Sequence, residues 1–172
     1  MWVTGTFESN FDANSRSNLN IAKPQFLKNY TAQIMITHSV TTVFNNHMAF
    51  TANINGHDVL MDTTADDGGE DSGPSPKRLM LASLAGCTGI DIVTILNKMK
   101  VEFSNFSIGV HAALSAEHPQ IYNLVKITYK IKLAETDKSK MIKAVTLSTE
   151  KYCGVFAMFK TFAKMDTEID YL

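Results

Sequence analysis

Cysteine is scarce in this chain: Cys87 and Cys153 are the only two in 172 residues. Two thiols 66 residues apart make no secreted disulfide framework, no CxxC redox motif and no zinc-ligand spacing. An excess of charge is lacking too. With 16 basic and 17 acidic residues the net charge is −1, which leaves no electrostatic footprint for nucleic acid or an anionic membrane. No unbroken apolar run approaches the roughly 18 residues of a membrane-spanning helix. The first segment, Met1–Asn20, is rich in Asn and Ser and carries Glu8 and Asp12. It has neither the basic start nor the apolar centre of a signal peptide, so a cytoplasmic location is expected.

What the chain does have is a globular composition, 45% hydrophobic and 19% charged, enough to bury one core without covalent staples. Residues 1–28 show no sustained periodicity and read as a loosely ordered extension, leaving 29–172 as the folded domain. Ile34, Ile36, Val40 and Val43 lie in a Thr-rich, β-prone run, and Asn45-Asn46 offers a turn. Phe50, Ala52 and Ile54 then alternate with polar neighbours, and Asn55-Gly56 is a strong type I′ hairpin signal leading to a strand at Val59–Met61. The acidic, Gly-rich stretch Thr63–Pro74 reads as a loop. Ser75-Pro76 opens a helix, with Ser as N-cap and Pro at the first helical position. Lys77–Lys100 is apolar on most faces, the pattern of a helix covered on more than one side.

Phe106, Ile108, Val110 and Ala112 alternate as one strand. Val125, Ile127, Tyr129, Ile131 and Leu133, interleaved with lysines, form a strand with one face in a core and one in water. A helix from about Asp137 presents Met141, Ile142, Val145 and Leu147, and Thr149–Phe162 reads as another. Met165, Thr167, Ile169 and Tyr171 close the chain as a strand. The order β-β-β-α-β-β-α-α-β is not the alternation of a doubly wound sheet, so the fold class is α+β. The five histidines show no metal or triad spacing, and His118-Pro119 is a turn.

Each cysteine keeps unusual company. Gly86 and Gly89 flank Cys87 within its helix, where each glycine costs up to about 1 kcal/mol relative to alanine and serves close approach of another backbone or a ligand. Cys153 is followed by Gly154 and falls within the first turn of its helix, where the positive end of the macrodipole favours a thiolate. The alternative reading is that both are small buried hydrophobes.

The segments GPSPKRLMLASLAGCTGIDIVTIL and LSTEKYCGVFAMF resemble the OsmC/Ohr superfamily of thiol-dependent hydroperoxide reductases, most closely its general branch with the EKYC segment. The resemblance extends from about Tyr30 to Tyr171. It implies an intertwined homodimer in which antiparallel sheet wraps a long buried central helix, with the cysteines meeting near the subunit interface. It further implies that Cys87 is peroxidatic, attacking the O–O bond of an organic hydroperoxide to give a sulfenic acid. Cys153 would resolve that acid to a disulfide, re-reduced by a small dithiol or a dithiol protein. The cysteine pair would be the sole redox centre, without cofactor or metal.

The pattern departs from the family at the activating groups. Peroxidase branches carry a Glu at the helix start, paired with an Arg from an N-terminal loop. Here the positions read Lys77 and Arg78, and the only other arginine is Arg16. Lys77 or Arg78 could supply the cation only through a helix break, as at Gly86, or from a partner subunit, because ten helical residues span about 15 Å; otherwise both are solvated first-turn residues. Asp91, on the same helical face as Cys87, either opposes thiol ionisation or is a structural acid bonded to Thr88, Thr94 or the other subunit. Glu150 either accepts a proton or cation near the site or caps its helix with Ser148 and Thr149. Two further readings stay open: a member of the fold that binds a small apolar ligand without peroxidase activity, and a hot-dog-type thioesterase.

Overall fold

The computed structural model describes residues 36–172, and Ser39–Leu172 forms one unit. The expected extension 1–28 and the start of the first β-prone run lie outside the described residues. The first sheet is an antiparallel meander of β1 (Thr41–Phe44), β2 (Phe50–Ile54) and β3 (His57–Met61). Its hairpin turns at Asn55-Gly56, both at positive φ (52° and 84°), as a type I′ turn requires. Val43, Phe44, Phe50 and Leu60 remain exposed on this sheet, whereas Ala52 is buried.

The loop that follows is held from within. The buried Asp62 carboxylate accepts hydrogen bonds from the Thr63, Glu70 and Ser72 backbone N–H groups and from the Ser72 hydroxyl, at 2.7–3.1 Å. The Ser72 bonds foremost hold its pKa at about 2, below the ordinary 3.8. α1 (Pro76–Lys98) then starts with Ser75 at the N-cap in extended geometry and Pro76 at N1, though the Ser75 side chain makes no capping bond.

α1 packs on the second sheet, made of β4 (Phe103–Leu114), β5 (Tyr122–Leu133) and, after two helices, β6 (Lys164–Tyr171). Leu84, Thr88, Ile92 and Leu96, one every four residues, are fully buried against Val125, Ile127, Tyr129 and Ile131 of β5. The helices α2 (Lys138–Leu147) and α3 (Gly154–Lys160) add Met141, Ala144, Phe156 and Phe159 to the same core. Ile142, expected on the inner face of α2, is 55% exposed; α2 turns Ala144 inward with Met141 and Val145, and Ile142 falls on the opposite side. The sheet is mixed. β4 and β5 pair antiparallel, but β5 and β6 pair parallel, because the α2–α3 crossover returns the chain to the end from which β5 started.

Within one chain only one stripe of α1 is buried, and the outward side leaves Met80 44% and Ile90 71% exposed, so cover on a second side would have to come from a partner chain. Its most apolar 18 residues have a mean hydropathy of 1.9, so this 23-residue helix is long and apolar enough to cross a membrane by length and composition. No single apolar run reveals this, because Ser83, Thr88, Asp91 and Thr94 interrupt the pattern.

Candidate thiol site

Cys87 and Asp91 stand one helical turn apart on α1, beside its buried stripe. Cys153 meets them from the bend that precedes Gly154. The expected continuous helix Thr149–Phe162 is in fact two pieces: a π-turn over Ser148–Tyr152, and α3 from Gly154. The Cys153 N–H donates to the Ser148 carbonyl at 2.8 Å, closing the wide turn. Cys153 itself takes extended geometry (φ −75°, ψ 100°) as the N-cap of α3, and the Phe156 N–H donates to its sulfur at 3.3 Å. A sulfur here does what a serine oxygen does at other helix starts. The donor atoms of Cys87, Asp91 and Cys153 all lie within 4.8 Å of one another.

The two thiols have unlike surroundings. Cys87 is half-buried and Cys153 is buried. Burial pushes the Cys153 thiol up to about 12, aided by its hydrogen bond to Cys87 and by the charge of Asp91, while the Phe156 N–H acts the other way. This corrects the expectation of a dipole-stabilised thiolate at Cys153. One backbone N–H does not offset the loss of water around the sulfur.

Asp91 bonds to neither threonine. Thr88 donates to the Leu84 and Ala85 carbonyls, and Thr94 donates to that of Ile90. The partner of Asp91 is Ser148, whose fully buried hydroxyl donates to it at 3.1 Å. Ser148 therefore does not cap a helix, and Thr149 bonds back to the Val145 carbonyl. Glu150 is exposed in the π-turn, outside the cluster, with no side-chain bond among the described residues. Lys77 and Arg78 are exposed on the first turn of α1, which runs unbroken through Gly86. About 15 Å of helix therefore separates them from Cys87 within one chain. The glycines divide. A Cβ on Gly89 would meet Ile108 Cδ1 at 2.8 Å, so the close approach is real there; one on Gly86 or Gly154 would meet nothing within 4 Å.

One residue was hidden by its pattern. Tyr129 is an inward position of β5, indistinguishable in alternation from Ile127 and Ile131. Its hydroxyl is buried, has no hydrogen-bond partner among the described residues, and faces Thr88 and Cys153. A tyrosine at a position its neighbours fill with isoleucine is the one signal that could have marked it. A hollow of about 490 Å³ opens beside Asp91, lined by Ile95, Met99, Leu147, Tyr152, Lys98 and Lys143. A larger hollow of about 740 Å³ lies on the second sheet at His111, Lys126 and Lys164, and neither hollow has a cysteine in its lining.

Residues 69–168, more than half the chain, match the family model described as OsmC-like protein. The chain belongs to the OsmC-like family. Among curated sequences it is 29% identical to Protein YhfA of Escherichia coli K12 over 105 residues, 61% of this chain and 75% of that protein. Among solved structures it is similar to a hypothetical protein from Aquifex aeolicus VF5, with 27% identity and a TM-score of 0.70 over 80% of this chain and 98% of that one. The organic hydroperoxide resistance protein OsmC of Legionella pneumophila has the same fold at 14% identity, with a TM-score of 0.59 over 80% and 99% of the two chains. Within this OsmC-like chain, the paired cysteine segments sit where α1 and α3 meet.

Proposed function

We propose that this protein is a thiol peroxidase that reduces organic hydroperoxides through Cys87 and Cys153. The observation that carries the reading is the convergence of two sulfurs from distant segments, one half-exposed and one buried and protonated. The Cys87 thiolate attacks the terminal O–O bond, which breaks. Cys87 becomes a sulfenic acid, and the alcohol leaves after taking a proton. Cys153 then attacks the sulfenic sulfur, giving a Cys87–Cys153 disulfide and water. A dithiol reductant restores both thiols and is itself oxidised to a disulfide. The Tyr129 hydroxyl, without a hydrogen-bond partner among the described residues, is available to bond the sulfenic oxygen. The hollow beside Asp91, one helical turn from Cys87, offers the apolar walls of Ile95, Met99 and Leu147 to the organic part of the peroxide, with Lys98 and Lys143 at its edge and neither cysteine in its lining.

A homodimer belongs to the same reading. The outward face of α1, with Ile90 and a hollow of about 520 Å³ at Ala85, Gly86, Val93 and Phe106, is too apolar to stand in water. A second copy of the helix would cover it. The partner subunit would also be the source of any activating cation, since Lys77 and Arg78 are remote within one chain.

The test is the rate of oxidation by cumene hydroperoxide at neutral pH, with the disulfide followed by mass spectrometry. Wild type should consume peroxide and form the Cys87–Cys153 disulfide. Cys87→Ser should consume none, and Cys153→Ser should stop at the sulfenic acid. Oxidation no faster than that of a free thiol would reject the reading and favour an apolar-ligand-binding member of the family.

A further inference from the structure

We propose that Cys87, Asp91 and Cys153 form, in the reduced protein, a binding site for a thiophilic divalent cation such as Zn²⁺. Cys87 and Asp91 come from one face of α1, and Cys153 from the bend before α3. Their donor atoms already lie within 4.8 Å of one another. A tetrahedral zinc ion, with Zn–S bonds of about 2.3 Å and Zn–O bonds of about 2.0–2.2 Å, keeps its ligands roughly 3.5–3.8 Å apart. The donor atoms must therefore draw together by up to about 1 Å on binding.

The donor set selects the ion. Two sulfurs with one carboxylate favour zinc-type cations over Mg²⁺ or Ca²⁺, which take all-oxygen sites. The supporting contact is also present: the buried Ser148 hydroxyl donates to Asp91 Oδ2 at 3.1 Å and fixes the carboxylate toward the sulfurs. No ion pair among the described residues includes Asp91. A cation is thus the partner that this acid lacks. Three protein ligands leave a fourth position open.

Binding forms two metal–sulfur bonds and one metal–oxygen bond and releases the two thiol protons to solvent, with no change of oxidation state. The cation and the peroxide then compete for the same sulfur, and a disulfide cannot hold the ion. That competition rests on the thiol-peroxidase reading; the binding site itself does not.

The test uses the full-length protein, reduced, stripped with a chelator and kept anaerobic, with no peroxide present. Titration with Co²⁺ should give one equivalent with thiolate-to-cobalt charge-transfer absorption and tetrahedral ligand-field bands, displaced by Zn²⁺. Asp91→Asn should weaken Zn²⁺ binding by more than about tenfold, and Ser148→Ala by about tenfold, each variant first shown by circular dichroism to be folded. The disulfide form should bind none. Absence of the cobalt spectrum in folded, reduced wild type overturns the site, as does an affinity unchanged in both variants. Peroxide turnover is measured separately with chelator present, so failure of either reading leaves the other intact.

Discussion

The Ser148 hydroxyl donates to Asp91 across 57 positions of sequence, tying the π-turn to α1 and so setting the distance between the two cysteines. Removing it with Ser148→Ala should cost about 1.5 kcal/mol, as for a hydrogen bond to a charged group. Urea denaturation measures the loss. The same variant should form the Cys87–Cys153 disulfide more slowly, because Cys153 loses its anchor. An unchanged rate would limit the contact to stability.

Tyr129→Phe should uncouple stability from chemistry. The wild-type hydroxyl is buried and unpaired, so its removal should leave stability unchanged or raise it by up to about 1 kcal/mol. If the hydroxyl bonds the sulfenic oxygen, the variant should lose sulfenic acid faster to overoxidation. Melting temperature and mass spectrometry after a peroxide pulse report the two effects.

The buried Cys153 thiol gives a signed pH dependence. Its pKa in the fold is raised from 9.0 to about 12. The folded state therefore keeps a proton that the unfolded chain releases. The stabilising contribution is complete below about pH 9 and is lost as pH rises toward 12. The stability difference between wild type and Cys153→Ser should shrink over that window, as read by denaturation at a series of pH values.

Asp62 should govern the loop before α1. Asp62→Asn replaces an acceptor with an amide that must present a donor to N–H groups already pointing at it. Limited proteolysis should cut within residues 63–74 faster in the variant. In the wild type the depressed pKa means that this support is complete above the ordinary value of 3.8 and fades as pH falls through about 2.

The two glycines beside Cys87 should respond differently. Gly89→Ala places a Cβ 2.8 Å from Ile108 Cδ1, the end of a side chain that can turn aside; overpacking then offsets the helical gain, and the net change should stay within about 1 kcal/mol. Gly86→Ala meets no atom among the described residues and should gain about 0.5–1 kcal/mol of helix stability. If two copies pair through this face, Gly86→Ala should also weaken the dimer, which sedimentation would show.

Much of this was legible because it is local. Alternation found β5 with its inward residues, Asn55-Gly56 found the hairpin, and Ser75-Pro76 found the start of α1. The parallel pairing of β6 was not legible, since two strands read alike whichever way the chain returns between them. The break at Cys153 was hidden because Ser148–Tyr152 has ordinary helical composition, and the wide turn is set by how the chain must meet α1. Spacing offers Asp91 three partners, Thr88, Thr94 or the other subunit, yet both threonines spend their hydroxyls on carbonyls one turn back, as helical threonines do. The resemblance located both cysteines and helical spacing put Asp91 beside Cys87, but nothing in the sequence marked Ser148 as the group that bonds it.

The order in which α1 and its cover are made has a cost during synthesis. The helix, apolar enough to pass for a membrane span, leaves the ribosome before any residue of β4, β5 or β6. At about 5–20 residues per second, its inner face waits roughly several seconds for those strands. A nascent chain in that state is a natural client for holding chaperones and for the machinery that scans emerging segments for hydrophobicity. Slow codons between α1 and β5 would lengthen that exposure, and this protein's yield should fall with them.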